Sequence, residues 1–569
     1  MKEHTKTKTY NFTVRALILI FFSIAAISLY GQRTDWEGEI PSVDIEIVET
    51  RELTLPPANR NFEKIPPRPS EPIRPPIRYD FQAFNFSAPP INPQIRPLKL
   101  KAESPGQVYG GFLRLGYGNF ASPLVEGYIT SRKDKDRLVG AHLYHSSSGK
   151  GPVDGKNSGS GMTKAAVFGR AFSQTIVVSG RIDAENRTTH FYGYPEGMEI
   201  DRSDIRQAYN LFRLSGDISN AKNNSFSYKL GGEVSYLANK LDAREMEGNV
   251  TFNSGYQVSD DARFNIDVAY TALSRKDAEV ESRLRNLFTV SPTYTFSPVD
   301  DLVLRIGFAV AYENDTLDSK NFHVYPFAKA TYPVSPSVDL VGSLEGGMEK
   351  VSLQTLSYKN IWIAPNIPLS HVNKVYELNL GVNARLGNKV GIHAGFSNSV
   401  LRKMHFFVNR PNTVEAPYDQ AKFDVIYNDG SFFQTNIFGS LTFAQSEKAK
   451  FMLRGDVFSY GTGKDDVVTE AWHLPRYKLN ANASFNVARK LLLNVEVIGQ
   501  GGMRAREPET GNVIKLDGAM DLNAKAEYLF SESFSLFVQF NNILDSNYPL
   551  YLYYPARGLQ FMGGITWSF

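Results

Sequence analysis

The run Leu516-Asp517-Gly518-Ala519-Met520-Asp521-Leu522-Asn523-Ala524-Lys525-Ala526-Glu527-Tyr528-Leu529-Phe530 alternates in character along its length. Successive side chains of a β-strand point to opposite sides. One side here carries Leu516, Gly518, Met520, Leu522, Ala524, Ala526, Tyr528 and Phe530. The other carries Asp517, Ala519, Asp521, Asn523, Lys525, Glu527 and Leu529. A soluble sandwich also alternates, but its strands are typically about 5–6 residues long. This run is 15 residues long. A tilted membrane strand needs about 9–11 residues in the hydrocarbon alone. The polar side is charged and rich in amides, as a wet lumen would be.

The same period of two fills Val108 to Phe569. Tyr376, Leu378, Leu380, Val382, Ala384 and Leu386 alternate with Glu377, Asn379, Gly381, Asn383 and Arg385. Tight polar connections, such as Ser173-Gln174, Asp260-Asp261, Asn388-Lys389 and Glu532-Ser533, take turns with long irregular ones, such as 149–161, 190–203, 355–372 and 402–429. Bacterial outer-membrane barrels have short periplasmic turns and long external loops. The expected fold is therefore an all-β, transmembrane antiparallel β-barrel over 108–569. Strand starts run from about 108 to about 558, among them 122, 206, 262, 302, 471 and 514, and give 22 strands. Lys422–Tyr427 looks strand-like and is assigned to a large external loop; counted as wall, it would make 20 or 24 the alternatives.

Composition agrees. The chain has 569 residues, with 29 Tyr and 38 Phe, and no cysteine. Disulfide scaffolds, cysteine zinc sites and cysteine nucleophiles are excluded. A net charge of +3 argues against nucleic-acid binding. His142 and His145 fall three apart on one strand, hence on opposite faces, and cannot chelate together. The sequence has no nucleophile elbow, phosphate loop or zinc-protease helix. No catalytic residue, metal ligand or cofactor is expected. Asp521 with Lys525 reads as a lumenal polar pair. Tyr528, Trp567 and Tyr551–Tyr554 read as interface girdles. Tyr358, Trp362 and Phe432-Phe433 read as loop aromatics, packing the loops or meeting a sugar or peptide.

The first 31 residues read as an address. Lys2, Lys6, Lys8 and Arg15 precede the apolar run Ala16–Leu29, and small residues follow, with cleavage expected near Gly31. The 14-residue run is short of the roughly 20 that a spanning helix needs. Residues 32–107 form a Pro-rich segment; 14 of the 30 prolines lie between Pro41 and Pro105. Proline fixes φ and removes a donor, so this segment should be extended. Its acidic β-prone patch Val43–Glu49 either belongs to a plain tether or pairs with a periplasmic or lipoprotein partner by strand addition.

The chain's last strand, Leu559 to Phe569, alternates and closes on Trp567 and Phe569. It resembles the signal by which barrel-assembly machinery recognises outer-membrane substrates. The run Phe534 to Asp545, with Asn541-Asn542-Ile543-Leu544-Asp545 followed by Asn547-Tyr548-Pro549, resembles the closing strands of TonB-dependent outer-membrane receptors, in the short Bacteroidetes type with a Pro-rich head. Val43–Glu49 resembles the box that such receptors show to their inner-membrane motor. The resemblance implies a Gram-negative outer membrane, lipid as neighbour, and uptake of a bulky solute through a gated lumen. The chain departs from the family before the barrel: only the 76 residues 32–107 precede it, and their prolines forbid a standard plug domain. This departure leaves open whether import is energised through plug movement. A non-transporting structural or accessory subunit of an outer-membrane assembly is the alternative. A barrel of this width is normally plugged, so the Pro-rich segment, folded external loops or another protein must close it.

Overall fold

The computed structural model describes residues 110–131, 136–222, 225–299, 301–315, 320–445, 448–463 and 467–569. The expected leader and the whole Pro-rich segment, 32–107, lie outside these residues. Twenty-two strands make one antiparallel sheet, each bonded to the next along the chain. They run from Gly111–Gly118 to Gln560–Ser568 and are 8 to 17 residues long. First and last strands pair, with Phe112 opposite Ser568 and Gly118 opposite Met562, so the sheet closes. Closure leaves no edge and satisfies the wall's backbone within the protein, which is what a β-structure in lipid requires. At the seam the ring of Phe537 lies across the strands. A Cβ on Gly564 would come within 2.5 Å of that ring and 2.2 Å of the Leu115 carbonyl oxygen, so only glycine fits.

The alternation becomes two faces. Ile182 and Leu214 stand opposite each other on the outer face, 46% and 51% exposed, and Val250 is 50% exposed. The inner face carries charged pairs, among them Arg181 with Asp183 at 2.7 Å and Arg213 with Glu233 at 3.3 Å. Apolar outside and polar inside is the arrangement of a barrel set in lipid around a wet lumen.

Several boundaries differ from the sequence reading. The strands expected near 471 and 514 begin at Tyr477 and Ala519, and the residues before them belong to the external loops. Phe432-Phe433 opens a wall strand, Phe432–Gln445, rather than lying in a loop. Asp521 does not pair with Lys525; it accepts from Tyr548 Oη at 2.9 Å, and Lys525 meets Glu527 at 3.1 Å. Lys422–Tyr427 stays out of the wall as expected: Phe423–Tyr427 pairs with His405–Asn409 in a separate hairpin.

Neighbouring positions on opposite faces test the orientation. Val250→Arg should destabilise the protein refolded into vesicles by about 2–4 kcal/mol, the usual toll of a cation on the lipid face near mid-membrane. Thr251→Arg, pointing into the lumen, should shift the same denaturant titration far less.

Candidate functional site

The external loops fold back over the mouth of the barrel and build a hydrophobic core of their own. Phe191, Tyr192, Ile205, Leu356, Trp362, Ile363, Phe406, Phe423, Trp472 and Tyr554 are buried together in it. These residues come from five separate connections, so the lid is a tertiary object. Trp362 is its hub, with ring centroids 4.1 Å from Tyr554 and 5.6 Å from Tyr192. Its indole N–H donates to the His190 carbonyl at 3.0 Å. The Tyr554 hydroxyl donates to the Ala421 carbonyl. Phe423 packs against Tyr551 and His473. Aromatic pairs at such distances add about 0.5–1.5 kcal/mol each beyond the area they bury.

The connection 350–371 enters the mouth and is pinned to inward-facing wall residues. It contains the one α-helix among the described residues, Leu353–Lys359, capped by Ser352 and Thr355 in a reciprocal box. A wall carboxylate adds to this cap: Glu245 accepts from the backbone N–H of Leu353 at 2.7 Å and of Gln354 at 2.9 Å. Negative charge at a helix start is favourable. Arg187 donates to the Ser357 carbonyl at 2.9 Å and to its Oγ at 2.8 Å, and lies 3.8 Å over the Tyr358 ring. The Tyr358 hydroxyl donates to Glu185 at 2.6 Å.

Two buried arginines secure the rest of the loop. Arg285 binds Asp315 through Nε at 2.7 Å and Nη2 at 3.1 Å, and donates to the Val351 carbonyl at 3.0 Å. His371 joins this knot: its Nδ1 accepts from Val351 N at 3.0 Å, and its backbone N–H donates to Asp315. Arg275 donates to the Ile367 carbonyl at 2.6 Å and pairs with Asp277 at 2.5 Å. Lys350 pairs with Glu247. Buried charges of this kind are costly unless every partner is present, so wall and loop fit each other in one arrangement.

Three histidines are buried neutral in the lid. Burial, then the Arg285 charge, brings His371 down to about 4. Burial, then Lys359, brings His405 to about 3, and burial brings His473 to about 4. Released segments would hold protons that docked ones reject. Docking is therefore fully supported above the free-histidine value near 6.5 and weakens as pH falls from there towards 4.

Between lid and wall lies a cavity of about 680 Å³. Tyr144, Arg187, Tyr192, Trp362, Asp521, Gln539, Tyr548 and Arg557 are among its lining. The size suits a ligand pocket. Burial lowers the pKa of Arg557, whose guanidinium donates to Ser160 Oγ at 2.5 Å.

The residues singled out from sequence fall in three places. Trp567 and Phe569 lie together at the periplasmic end of the seam, ring centroids 4.8 Å apart, and the Phe569 carbonyl accepts from Gly111 N at 2.9 Å. Trp362 packs the lid, and Tyr358 is held to the inner wall. Tyr551 and Tyr554 are lid core, not an interface girdle. His142 meets Glu126 on the inner face, and His145 meets Thr163 on the outer, as their spacing required. Among the described residues no group of three or more His, Asp or Glu is placed to hold a metal ion. The pinning residues Arg187, Glu245, Arg275 and Arg285 were not foreseen. A usable signal existed: 355–372 holds Leu356, Ile361, Trp362, Ile363, Ile367 and Leu369, too much apolar surface for a loop left in water.

No family model and no curated protein matches the chain. Solved structures do. The siderophore receptor PirA from Acinetobacter baumannii is 10% identical, with a TM-score of 0.63 over 81% of this chain and 80% of that one. The FrpB iron transporter from Neisseria meningitidis is 9% identical, with a TM-score of 0.63 over 81% and 82%. The ferric-catecholate import receptor Fiu from E. coli is 8% identical, with a TM-score of 0.62 over 82% of each chain. At such identity the likeness is one of fold: the chain has a 22-stranded barrel like those of these receptors and transporters.

Breaking one pin tests the lid. Arg285→Met leaves Asp315 buried without its guanidinium, which should cost loop docking about 3–5 kcal/mol. Protease should then cut within 350–371 while the wall stays intact. In the unaltered protein, amide protection factors in 350–371 and 403–431 should fall between pH 7.5 and 4.5; unchanged protection over that range would refute the buried-histidine account.

Proposed function

We propose that this protein is an outer-membrane barrel that takes up a bulky solute through a lumen closed from outside by its own loops. The docked connection 350–371 carries this reading. It obstructs the mouth, yet it is tied to the wall largely by hydrogen bonds to charged side chains and by the Lys350–Glu247 pair, which a solute or a change in charge can exchange. The cavity beneath the lid offers a resting place with guanidinium, amide and aromatic surfaces. The receptor and transporter neighbours support uptake as the class of activity.

The sequence supplies the remaining parts of the proposal. Residues 1–31 are a leader cut near Gly31. Residues 32–107 are a periplasmic or lumenal segment standing in place of a standard plug, as in Bacteroidetes-type receptors. Trp567 and Phe569 present the strand read by barrel-assembly machinery.

Currents across planar bilayers test the gate. Full-length protein should be nearly silent, and removal of 353–366 should open large steady currents. Silence after that deletion would overturn closure by the loops. Removing 32–105 separates the roles of the two ends: new currents would make that segment a second closure, while a silent barrel that loses a co-purifying partner would favour an assembly subunit. Deleting Phe569 should lower the amount reaching the outer membrane in cells without altering refolding in detergent; equal accumulation would exclude the assembly role.

A further inference from the structure

The external ends of the strands sort their charges by face. Inside, Arg187, Glu247, Arg275 and Arg285 all have partners of opposite charge. Outside, the cations differ. Register places them: Ile182 pairs with Leu214 on the lipid face, and the same face continues through Asn186 with Asn210 and Thr188 with Ala208 to His190 with Arg206. Lys240 follows Ala238, which stands opposite Asn210, and its N–H donates to the Ala208 carbonyl at 3.0 Å. Arg206 and Lys240 therefore project outward, beyond the apolar belt. Arg202, from the connecting loop, joins them.

The three cations line a cavity of about 650 Å³ on the outside of the barrel, shared with Ser147, Thr163 and Thr188. All three are exposed. Among the described residues none forms an ion pair within 4.0 Å; Lys240 Nζ donates to the Ser203 carbonyl. Two of the loop's acids are engaged in its own turn: Asp201 accepts from Ser203 N at 2.7 Å, and Asp204 from Ser203 Oγ at 3.2 Å. The outward row continues with Arg244 opposite Lys276.

We propose that this outer pocket binds the phosphate of a phosphorylated glycolipid in the surrounding leaflet. A site just beyond a lipid-facing belt meets headgroups. Unpaired guanidinium and ammonium groups select phosphate, and the hydroxyl and amide lining suits a sugar. Each basic residue near a charged lipid surface adds appreciably to binding. The inference rests on the outer-membrane reading above.

The test uses full-length protein, stripped of lipid in detergent, with bis-phosphorylated lipid A as probe and native mass spectrometry as readout. The unaltered protein should retain lipid A. The double variant Arg206→Ala, Lys240→Ala should bind it at least about tenfold more weakly, while keeping the compact migration of a folded barrel on unheated gels. Lys229→Ala, which removes a lumenal cation, should leave binding unchanged. Phosphatase-treated lipid A should bind as weakly as the double variant binds the intact probe. Equal binding of the dephosphorylated lipid, or displacement of lipid A by an equal concentration of inorganic phosphate, would overturn the assignment. Membrane fractionation keeps the two readings apart: a chain that sediments with the outer membrane but ignores lipid A sinks this inference alone.

Discussion

A backbone in hydrocarbon has no water to bond, and every other feature of this chain follows from that. Strands can cross a bilayer only in a closed sheet. Closure demands that the first strand meet the last, which happens where Gly116 pairs with Gly564 and Phe537 crosses both. With 22 strands, the ring is wide enough to need an obstruction. The barrel solves one problem for the backbone and creates another for the membrane.

The lid answers the second problem with two kinds of force. Its aromatic core, centred on Trp362, gives it cohesion but no fixed seat. Its seat comes from buried charge: Arg285 with Asp315, Arg275 with Asp277, and Glu245 at the helix start. A purely apolar lid could slide across the mouth; one whose carbonyls are bonded to buried guanidinium groups cannot. Release of the loop would take from these buried charges the backbone groups they bond, the Val351 and Ile367 carbonyls and the Leu353 and Gln354 N–H groups. His371, shared between Asp315, Val351 and Arg285, ties the protonation of one ring to this balance.

The wall was legible and the lid was not, for one physical reason. A wall strand shows itself within its own residues, since alternation has a period of two and each strand's partner is its neighbour in sequence. Hence the starts expected at 122, 206, 262 and 302 coincide with Ser122, Arg206, Ala262 and Leu302. The boundaries at 471 and 514 failed where lid residues adjoin the wall: Ala471 and Trp472 are apolar because they fill the lid core. Tyr554 looked interfacial for the same reason, its burial being set by Ala421, 133 residues away. Arg187 and Ser357 lie 170 residues apart, and nothing local to either marks the other.

Charge placement around the external rim ties wall and lid to the membrane. On a strand such as Arg206–Asn220, odd and even positions answer to different surroundings: lumen and lid on one side, lipid and headgroups on the other. Inside, Arg187, Glu247, Arg275 and Arg285 each have a partner of opposite charge, from the wall or from a loop. Outside, the described residues supply no ion-pair partner for Arg202, Arg206 and Lys240, and an unpaired cation is cheap to keep only while it faces water or an anionic headgroup. The one strand pattern thus specifies two different interfaces at the same height, and the loops that complete the inner one leave the outer one to be completed by the membrane itself.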